Sequence, residues 1–452
     1  MKGKVDSVWA VIFNKQNQKT ILMRILINII VLLISVFVLS CGNKEQLITN
    51  SEEYAQYLSI TENQASNEAK LQLDFWNKRI KKDSLQLTAL GPVASAYTQL
   101  FESTGEIKYL KLAEKALTKS SAIATIGKSD HLLALAHNYI SQHRFIEAKE
   151  AAMGAYLLGT NTKATEMVLF DVSMELGEYD NAHGYLEKFA NQNDYNFLIR
   201  LAKWNDYKGN LDATIRNMEK ALKIALSSKN DDLLLWSYTN LADYYGHAGR
   251  IKESYEYYIK ALEIDPANAY AKKGIAWITY SYEDRPEEAL KILDAITDTH
   301  QSPDYFLLKA EVEEYLTNEI AKKINLIKYS NAIKDKSYGD MYNVHTALLL
   351  AEEYEVFDKA LEIADLEIEN RPTPQSYDLK AYILLLKGEH KKALKIAEEF
   401  VVNKTFEPVA NLHIAQIYKA NNLLGKADPI FEDLRESSYE LGPVTSGKIT
   451  NL

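Results

Sequence analysis

The feature that most constrains the fold is a pattern of small and apolar residues that recurs along most of the chain. An aliphatic residue followed by alanine, with tyrosine three positions later in most copies, begins at Leu135, Leu201, Leu241 and Ile414. A second group of small residues begins 12 positions after each alanine, at Ala148, Thr214, Ser254 and Ala427. Equivalent positions such as Ala381 and Ala415 are 34 residues apart, so the pattern is a sequence repeat.

Each copy of the pattern predicts a helical hairpin. Positions i, i+1 and i+4 lie on one helix face, where alanine lets an antiparallel helix approach closely and an aromatic ring fills the remaining gap. Glycines fall in the predicted turns inside the hairpins, at Gly177, Gly209, Gly249 and Gly388. Prolines fall between consecutive hairpins, at Pro266, Pro372 and Pro408. With only 18 glycines and 9 prolines in 452 residues, an all-β fold is disfavoured.

The pattern resembles the tetratricopeptide repeat (TPR), and the fullest copy runs from Tyr238 to Pro266. The resemblance implies an all-α fold, a right-handed superhelical solenoid of about nine or ten TPR-like helix-turn-helix repeats over residues 89–441. Another solenoid of helical pairs is the competing interpretation. The copies between 269 and 373 are degenerate, because Gly274 and Ala289 are about three residues too far apart and 303–340 keeps mainly its amphipathic period.

The two ends of the repeat region are expected to differ. Residues 61–88, which include Phe75 and Trp76, are expected to form an N-terminal capping helix, since a terminal repeat must cover one apolar face. The C-terminal tail, residues 442–452, is expected to be turn-like and to fray.

The first forty residues have the layout of a secretory signal peptide. Basic residues precede an apolar run of about fourteen residues, 25–38, which is short for a membrane span. The run ends in Val-Leu-Ser-Cys-Gly, which resembles the lipobox of bacterial lipoproteins and implies cleavage before Cys41 and lipidation of its thiol. An uncleaved signal anchor is the alternative. Met23 is a more typical start for such a signal than Met1, and residues 41–60 are expected to be a polar tether.

Composition and motifs exclude several classes of function. The 52 basic and 62 acidic residues give a net charge of −10, which offers no electrostatic footprint for nucleic acid. No common hydrolase, phosphate-loop, dinucleotide-binding or zinc-protease motif occurs, so neither an enzyme nor a cofactor is expected. His131, His137 and His143 are six residues apart, about 240° on a helix, and cannot share one face as metal ligands.

The architecture instead predicts a concave groove, lined mostly by the first helix of each hairpin. Trp236 and Tyr382 are the aromatic residues best suited to anchor a peptide there. The full set of groove candidates, chosen by helical phase, is His137, Asp171, Lys203, Tyr207, Trp236, Asp243, His345, Tyr382 and Gln416.

These features together predict a non-enzymatic, lipid-anchored scaffold that binds a protein or peptide partner in its groove. The lipobox places it in the bacterial cell envelope, and the absence of aspartate directly after Cys41 favours the outer membrane over the inner. An acidic surface weakly favours partners with basic segments. One alternative is an accessory subunit of an outer-membrane assembly or secretion machine. A nutrient- or glycan-binding lipoprotein is less favoured, because the chain lacks long Gly-, Pro- and Asn-rich insertions.

Overall fold

The computed structural model describes residues 47–79 and 86–450, and all the regular secondary structure in these ranges is helical. The signal segment and Cys41 lie outside the described residues. The helices are α1 Ser51–Leu58, α2 Gln64–Asn77, α3 Leu87–Thr104, α4 Ile107–Ile123, α5 Lys128–Ser141, α6 Phe145–Leu157, α7 Thr162–Glu175, α8 Tyr179–Lys188, α9 Tyr195–Tyr207, α10 Leu211–Ser228, α11 Asp231–His247, α12 Ile251–Ile264, α13 Ala269–Trp277, α14 Pro286–Thr297, α15 Asp304–Tyr315, α16 Glu319–Ala332, α17 Asn343–Glu352, α18 Phe357–Asn370, α19 Pro374–Leu386, α20 His390–Phe400, α21 Pro408–Ala420, α22 Leu424–Leu434 and α23 Ser438–Thr450.

Helices α3 to α22 pair as ten consecutive antiparallel hairpins within the described residues, and each packs on the next. The all-α, right-handed superhelical solenoid expected from the sequence is confirmed. The alanines of the repeat are fully buried between helices, which explains why a small residue recurs there: Ala136, Ala148, Ala202, Ala242, Ala381, Ala393, Ala415 and Ala427. The predicted turn glycines all adopt positive φ, between 69° and 84°.

The irregular sixth hairpin contains a π-helical turn, Ile278–Tyr282, directly after α13. Ile275 and Ala276 repeat the aliphatic–alanine pair here, and the buried Ala276 lies 13 positions before the buried Ala289 rather than 12. A π-turn adds one residue to a helix, so it accounts for the extra position. The alignment of this repeat on Gly274 is therefore corrected to Ala276.

The solenoid completes more than one superhelical turn, because hairpins five to six positions apart touch. The backbone N–H of Gln301 donates to the carbonyl oxygen of Thr104 at 2.7 Å. Arg371 forms an ion pair with Glu175 at 3.3 Å, and the ring of Phe406 lies so close to Gly209 that a Cβ there would be 2.7 Å away. These contacts join hairpins of successive superhelical turns.

The segment before the solenoid is partly folded onto it. Helix α1 packs between the second helices of two hairpins, α12 and α14, with Tyr54 buried and its hydroxyl donating to Glu288 at 3.0 Å. Residues 49–58 are therefore part of the folded body and not the free polar tether expected from the sequence. Helix α2 lies within the range expected for the cap and packs against α3.

The C-terminal tail also differs from the expectation. Residues 438–450 form α23, which is kinked at Gly442 (φ 74°, ψ 162°). Leu441 and Ile449 are buried against Leu412 and Leu434 of the last hairpin. Residues 442–450 are therefore ordered rather than frayed, because this helix covers the apolar face that the final hairpin would otherwise expose.

Within the described ranges, no helix combines the length and the apolar character needed to cross a membrane.

Candidate functional site

The first helices of four consecutive hairpins, α11, α13, α15 and α17, share a cavity of about 560 Å³ with the start of α21 and with α23. This volume is in the range of ligand pockets, roughly 300–1,000 Å³. Aromatic and acidic side chains dominate the lining, which comprises Asp243, His247, Tyr258, Tyr270, Lys273, Gly274, Trp277, Asp304, Leu307, Leu308, Glu311, His345, Glu407, Pro408, Val409, Tyr439 and Glu440.

Asp243 lies at the wall of this cavity and is held by two tyrosines. It accepts hydrogen bonds from the hydroxyl of Tyr258 and, at 2.7 Å, from that of Tyr270. Tyr258 reaches the cavity from α12 across Gly274, where a Cβ would lie only 2.1 Å from the tyrosine ring. Burial raises the pKa of Asp243, although the two hydroxyls work against this rise.

Glu311 is the most perturbed carboxyl group of the cavity wall. Burial, together with the nearby charge of Glu314, raises its pKa from 4.5 to about 7. The hydroxyl of Tyr280 donates a hydrogen bond to it at 3.3 Å, which favours its charged form. Burial and the charge of Asp206 likewise raise the pKa of Glu407 on the opposite side.

The basic groups of the cavity do not balance its five carboxyl groups. His247 pairs with Glu440 at 3.3 Å, and although burial lowers the histidine pKa, Glu440 and Asp243 raise it more. Burial lowers the pKa of His345, which is therefore neutral near pH 7. Lys273 is the remaining cation in the lining. The cavity is therefore acidic, and its aromatic walls suit a cationic group.

The C-terminal helix closes one side of this cavity. Trp277 Nε1 and Ser281 Oγ both donate to the carbonyl oxygen of Tyr439, at 3.1 and 2.7 Å. A Cβ on Gly246 would lie 3.0 Å from the ring of Tyr439, so the ring packs directly on α11. Tyr439 and Glu440, at the start of α23 and just before the tail that was expected to fray, thus belong to the site.

Two of the predicted groove residues, Asp243 and His345, line this cavity. Two others, Asp171 and Lys203, lie in a row of ion pairs on neighbouring first helices. Arg200 contacts Asp171 at 2.6 Å, and Lys203 contacts Glu175 at 2.8 Å. Because Glu175 also pairs with Arg371, this row ties successive superhelical turns together.

The remaining candidates are dispersed. His137 lies near Asp171, and burial lowers its pKa. Trp236 is 41% exposed and meets the ring of Tyr195 edge-on, and Gln416 is half-buried on α21.

Tyr207 and Tyr382 are both engaged in stacking. Tyr207 stacks on Tyr179 at 4.0 Å and lines a smaller cavity of about 320 Å³. Tyr382 is half-buried, stacks on His413 at 3.7 Å and donates to Glu352.

Several wall residues were not among the predicted candidates, namely Tyr270, Lys273, Trp277, Glu311, Glu407 and Tyr439. Tyr270, Lys273 and Trp277 lie on the groove side of the first helix of their hairpin. They were not predicted because the sixth repeat was aligned on Gly274 instead of Ala276. Tyr258 was interpreted as a packing residue, and its ring does pack while its hydroxyl reaches Asp243. Among the described residues, no group of three His, Cys, Asp or Glu side chains is placed to hold a metal ion.

Comparison with known proteins finds matches to part of the repeat region. Two family models described as tetratricopeptide repeat match residues 196–267 and 247–312. Similar solved structures include yeast Tom70, 14% identical, covering 86% of this chain and 92% of that chain with a TM-score of 0.39. Another is a human IFIT1 dimer with PPP-AAAA, 12% identical, covering 84% and 96% with a TM-score of 0.41. No curated protein matches the chain in sequence.

Proposed function

Starting from the tetratricopeptide repeats that residues 196–312 contain, we propose that this protein is a lipid-anchored, non-enzymatic scaffold of the bacterial cell envelope. It binds a protein partner by receiving a peptide segment in the acidic cavity between α11, α13, α15, α17 and α23. Tetratricopeptide repeats are protein-interaction units in general, and rigid stacked hairpins hold such a surface ready without an ordering cost.

The acidic lining of the cavity is the observation that supports this proposal, because it favours a partner with a cationic group. Five carboxyl groups share the lining with two basic groups, Lys273 and His247, apart from the neutral His345, so acidic groups are in excess. Aromatic rings such as those of Tyr270 and Trp277 add faces that attract cations. The partner segment therefore carries a lysine or arginine side chain that enters the cavity.

The lipobox-like sequence ending in Cys41 supports the envelope location, with the outer membrane favoured over the inner. Acyl chains contribute about 0.8 kcal/mol per buried methylene, so a multiply acylated cysteine holds a soluble body on a bilayer stably.

Peptides selected by phage display against the purified protein test the proposal. The selected peptides should be enriched in lysine or arginine, and replacing that residue with norleucine should abolish binding measured by fluorescence anisotropy. Glu407→Gln and Asp243→Asn should each weaken binding roughly ten- to hundred-fold, since a hydrogen bond to a charged group contributes about 1.5–3 kcal/mol. Binding should also weaken as the pH falls below about 7, because Glu311 then becomes neutral.

Asp212→Asn is the matched control, because Asp212 is an exposed carboxylate on α10 outside the cavity lining. This variant should bind as the wild type does. Selection of acidic or neutral peptides, or equal loss of affinity in the control, would contradict the assignment of the cavity.

A further inference from the structure

Helix α16 carries a stripe of exposed isoleucines that faces away from the solenoid. Ile320, Ile324 and Ile327 are 76%, 49% and 56% exposed. At about 100° per residue, the three lie within a narrow sector of the helix surface. No other helix in the described part of the chain has three exposed large aliphatic side chains on one face. Such a stripe on a solvent-facing helix marks an interaction surface.

Two exposed lysines flank the isoleucine stripe. By the same rotation, Lys323 lies about 60° to one side of Ile320 and Lys328 about 80° to the other. The opposite side of α16 is buried in the solenoid through Leu326 and Tyr329. An apolar stripe bordered by lysines on both sides is the pattern of a helix that lies in a membrane interface.

The chain enters the folded body next to this helix. Thr49 is fixed in the turn between α13 and α14, where its N–H and hydroxyl donate to Glu283 at 2.7 and 2.6 Å and Arg285 donates to its hydroxyl. The equivalent turn of the following hairpin directly precedes Ile320. Helices α14 and α16 are separated by α15, so two interaxial spacings, about 20 Å, lie between the entry point and the stripe.

The reach of the anchor places this surface beside the bilayer. Thr49 lies eight positions after Cys41, and an extended chain spans at most about 3.3–3.6 Å per residue. Thr49 therefore lies within about 29 Å of a lipidated Cys41. Because the folded body is attached near the membrane at Thr49, the neighbouring hairpin, α15 and α16, can reach the same membrane surface.

We propose that the isoleucine stripe of α16, with Lys323 and Lys328, docks on the bilayer that carries the lipid anchor. The inference rests on the proposed lipidation of Cys41. The isoleucines enter the interface between headgroups and acyl chains, while the lysines reach anionic headgroups. The docked protein has a fixed orientation, in which the first helices and the cavity they line face away from the membrane.

A single-cysteine fluorescence experiment tests the orientation. Cys41 is the sole cysteine, and lipidation blocks its thiol, so a second cysteine takes a thiol-reactive environment-sensitive dye alone. The acylated full-length Ile324→Cys protein is labelled and reconstituted in phosphatidylethanolamine–phosphatidylglycerol vesicles. Lipids with a spin label near the headgroup should roughly halve its emission, since the stripe lies at that depth.

Leu226→Cys is the matched control, because Leu226 on α10 is 51% exposed and lies three hairpins away, about half a superhelical turn. Its emission should not change. Adding Ile320→Ser and Ile327→Ser to the Ile324→Cys protein should remove the quenching while the protein still floats with the vesicles.

The outcomes separate the two proposals. Flotation with no quenching at position 324, or with equal quenching at 226, overturns the docking surface and leaves the lipid anchor in place. Energy transfer between differently labelled 324 sites without lipid quenching also overturns it, in favour of contact with a second copy. A protein that does not float refutes the anchor and the docking surface together.

Discussion

Glu311 allows a quantitative test of the cavity electrostatics by the substitution Glu311→Gln. Its pKa rises from 4.5 to about 7 in the folded protein, because burial and Glu314 disfavour the charge. A shift of one unit corresponds to 1.36 kcal/mol, so the ionised carboxylate costs the folded state about 3 kcal/mol at high pH. The amide of glutamine is similar in shape, does not ionise, and still accepts the hydrogen bond from Tyr280.

The sign of the pH dependence follows from proton binding. Between pH 4.5 and about 7 the folded state holds the Glu311 proton more tightly than the unfolded state does, so this group's contribution to stability falls as the pH rises. Below pH 4.5 both states are protonated and the substitution should have little effect. Above about pH 7 the variant should be more stable than the wild type by up to about 3 kcal/mol.

Urea unfolding followed by far-ultraviolet circular dichroism, at about pH 4 and about pH 8, measures this difference. Glu314→Gln, on the same helix, is the control, and it is expected to change the free energy of unfolding in the opposite direction. Burial works against the charge of Glu314, but Lys322 and Lys448 outweigh it and lower its pKa. That variant should lose stability at the higher pH, and the loss should vanish as the pH falls through the carboxyl pKa. An equal shift of the Glu311→Gln midpoint at both pH values would refute the reasoning.

Two further predictions concern the lipid anchor and the packing of the site. Cys41→Ala should abolish incorporation of radiolabelled palmitate and release the protein into soluble fractions, whereas a mutant that keeps the label would disprove the anchor. Gly274→Ala should cost about 1–3 kcal/mol of unfolding free energy, because its Cβ would overlap the ring of Tyr258. Gly184→Ala, in helix α8 with nothing within 4 Å of the new Cβ, should instead stabilise by about 0.5–1 kcal/mol. Equal effects of the two glycine substitutions in thermal or urea unfolding would contradict this account of the site.

The hairpins were predictable from sequence because their determinants are local. Ala242 and Ser254 are 12 residues apart, on two helices joined by one turn. Both are small because both are buried, so the sequence alone indicates their positions in the hairpin. Glycines such as Gly249 are also predictable locally, because the short turn between the two helices requires a residue with positive φ. The π-turn at Ile278–Tyr282 escaped prediction, since a single inserted residue only shifts the register and leaves no composition signal.

The sequence predicted two residues of the candidate site but not the site itself. Helical phase on the first helices selected Asp243 and His345, and both line the cavity. Tyr439 lies nearly 200 residues after Asp243, and Glu407 lies more than 60 residues after His345. No periodic pattern in the sequence links these residues to the cavity. Residues 442–452 were expected to fray because the tail is short, yet Ile449 packs with Leu412 and Leu434 of the last hairpin.

The amino-acid sequence by itself determined the repeat, the helical hairpins and the surfaces by which each hairpin packs on the next, because these depend on spacings within about 34 residues. The tertiary structure alone decided which hairpins of successive superhelical turns touch, as in the ion pair between Arg371 and Glu175. It also decided that α23 closes the cavity. The physical reason is that small rotations between successive hairpins accumulate over a whole turn, and only their sum brings distant side chains together.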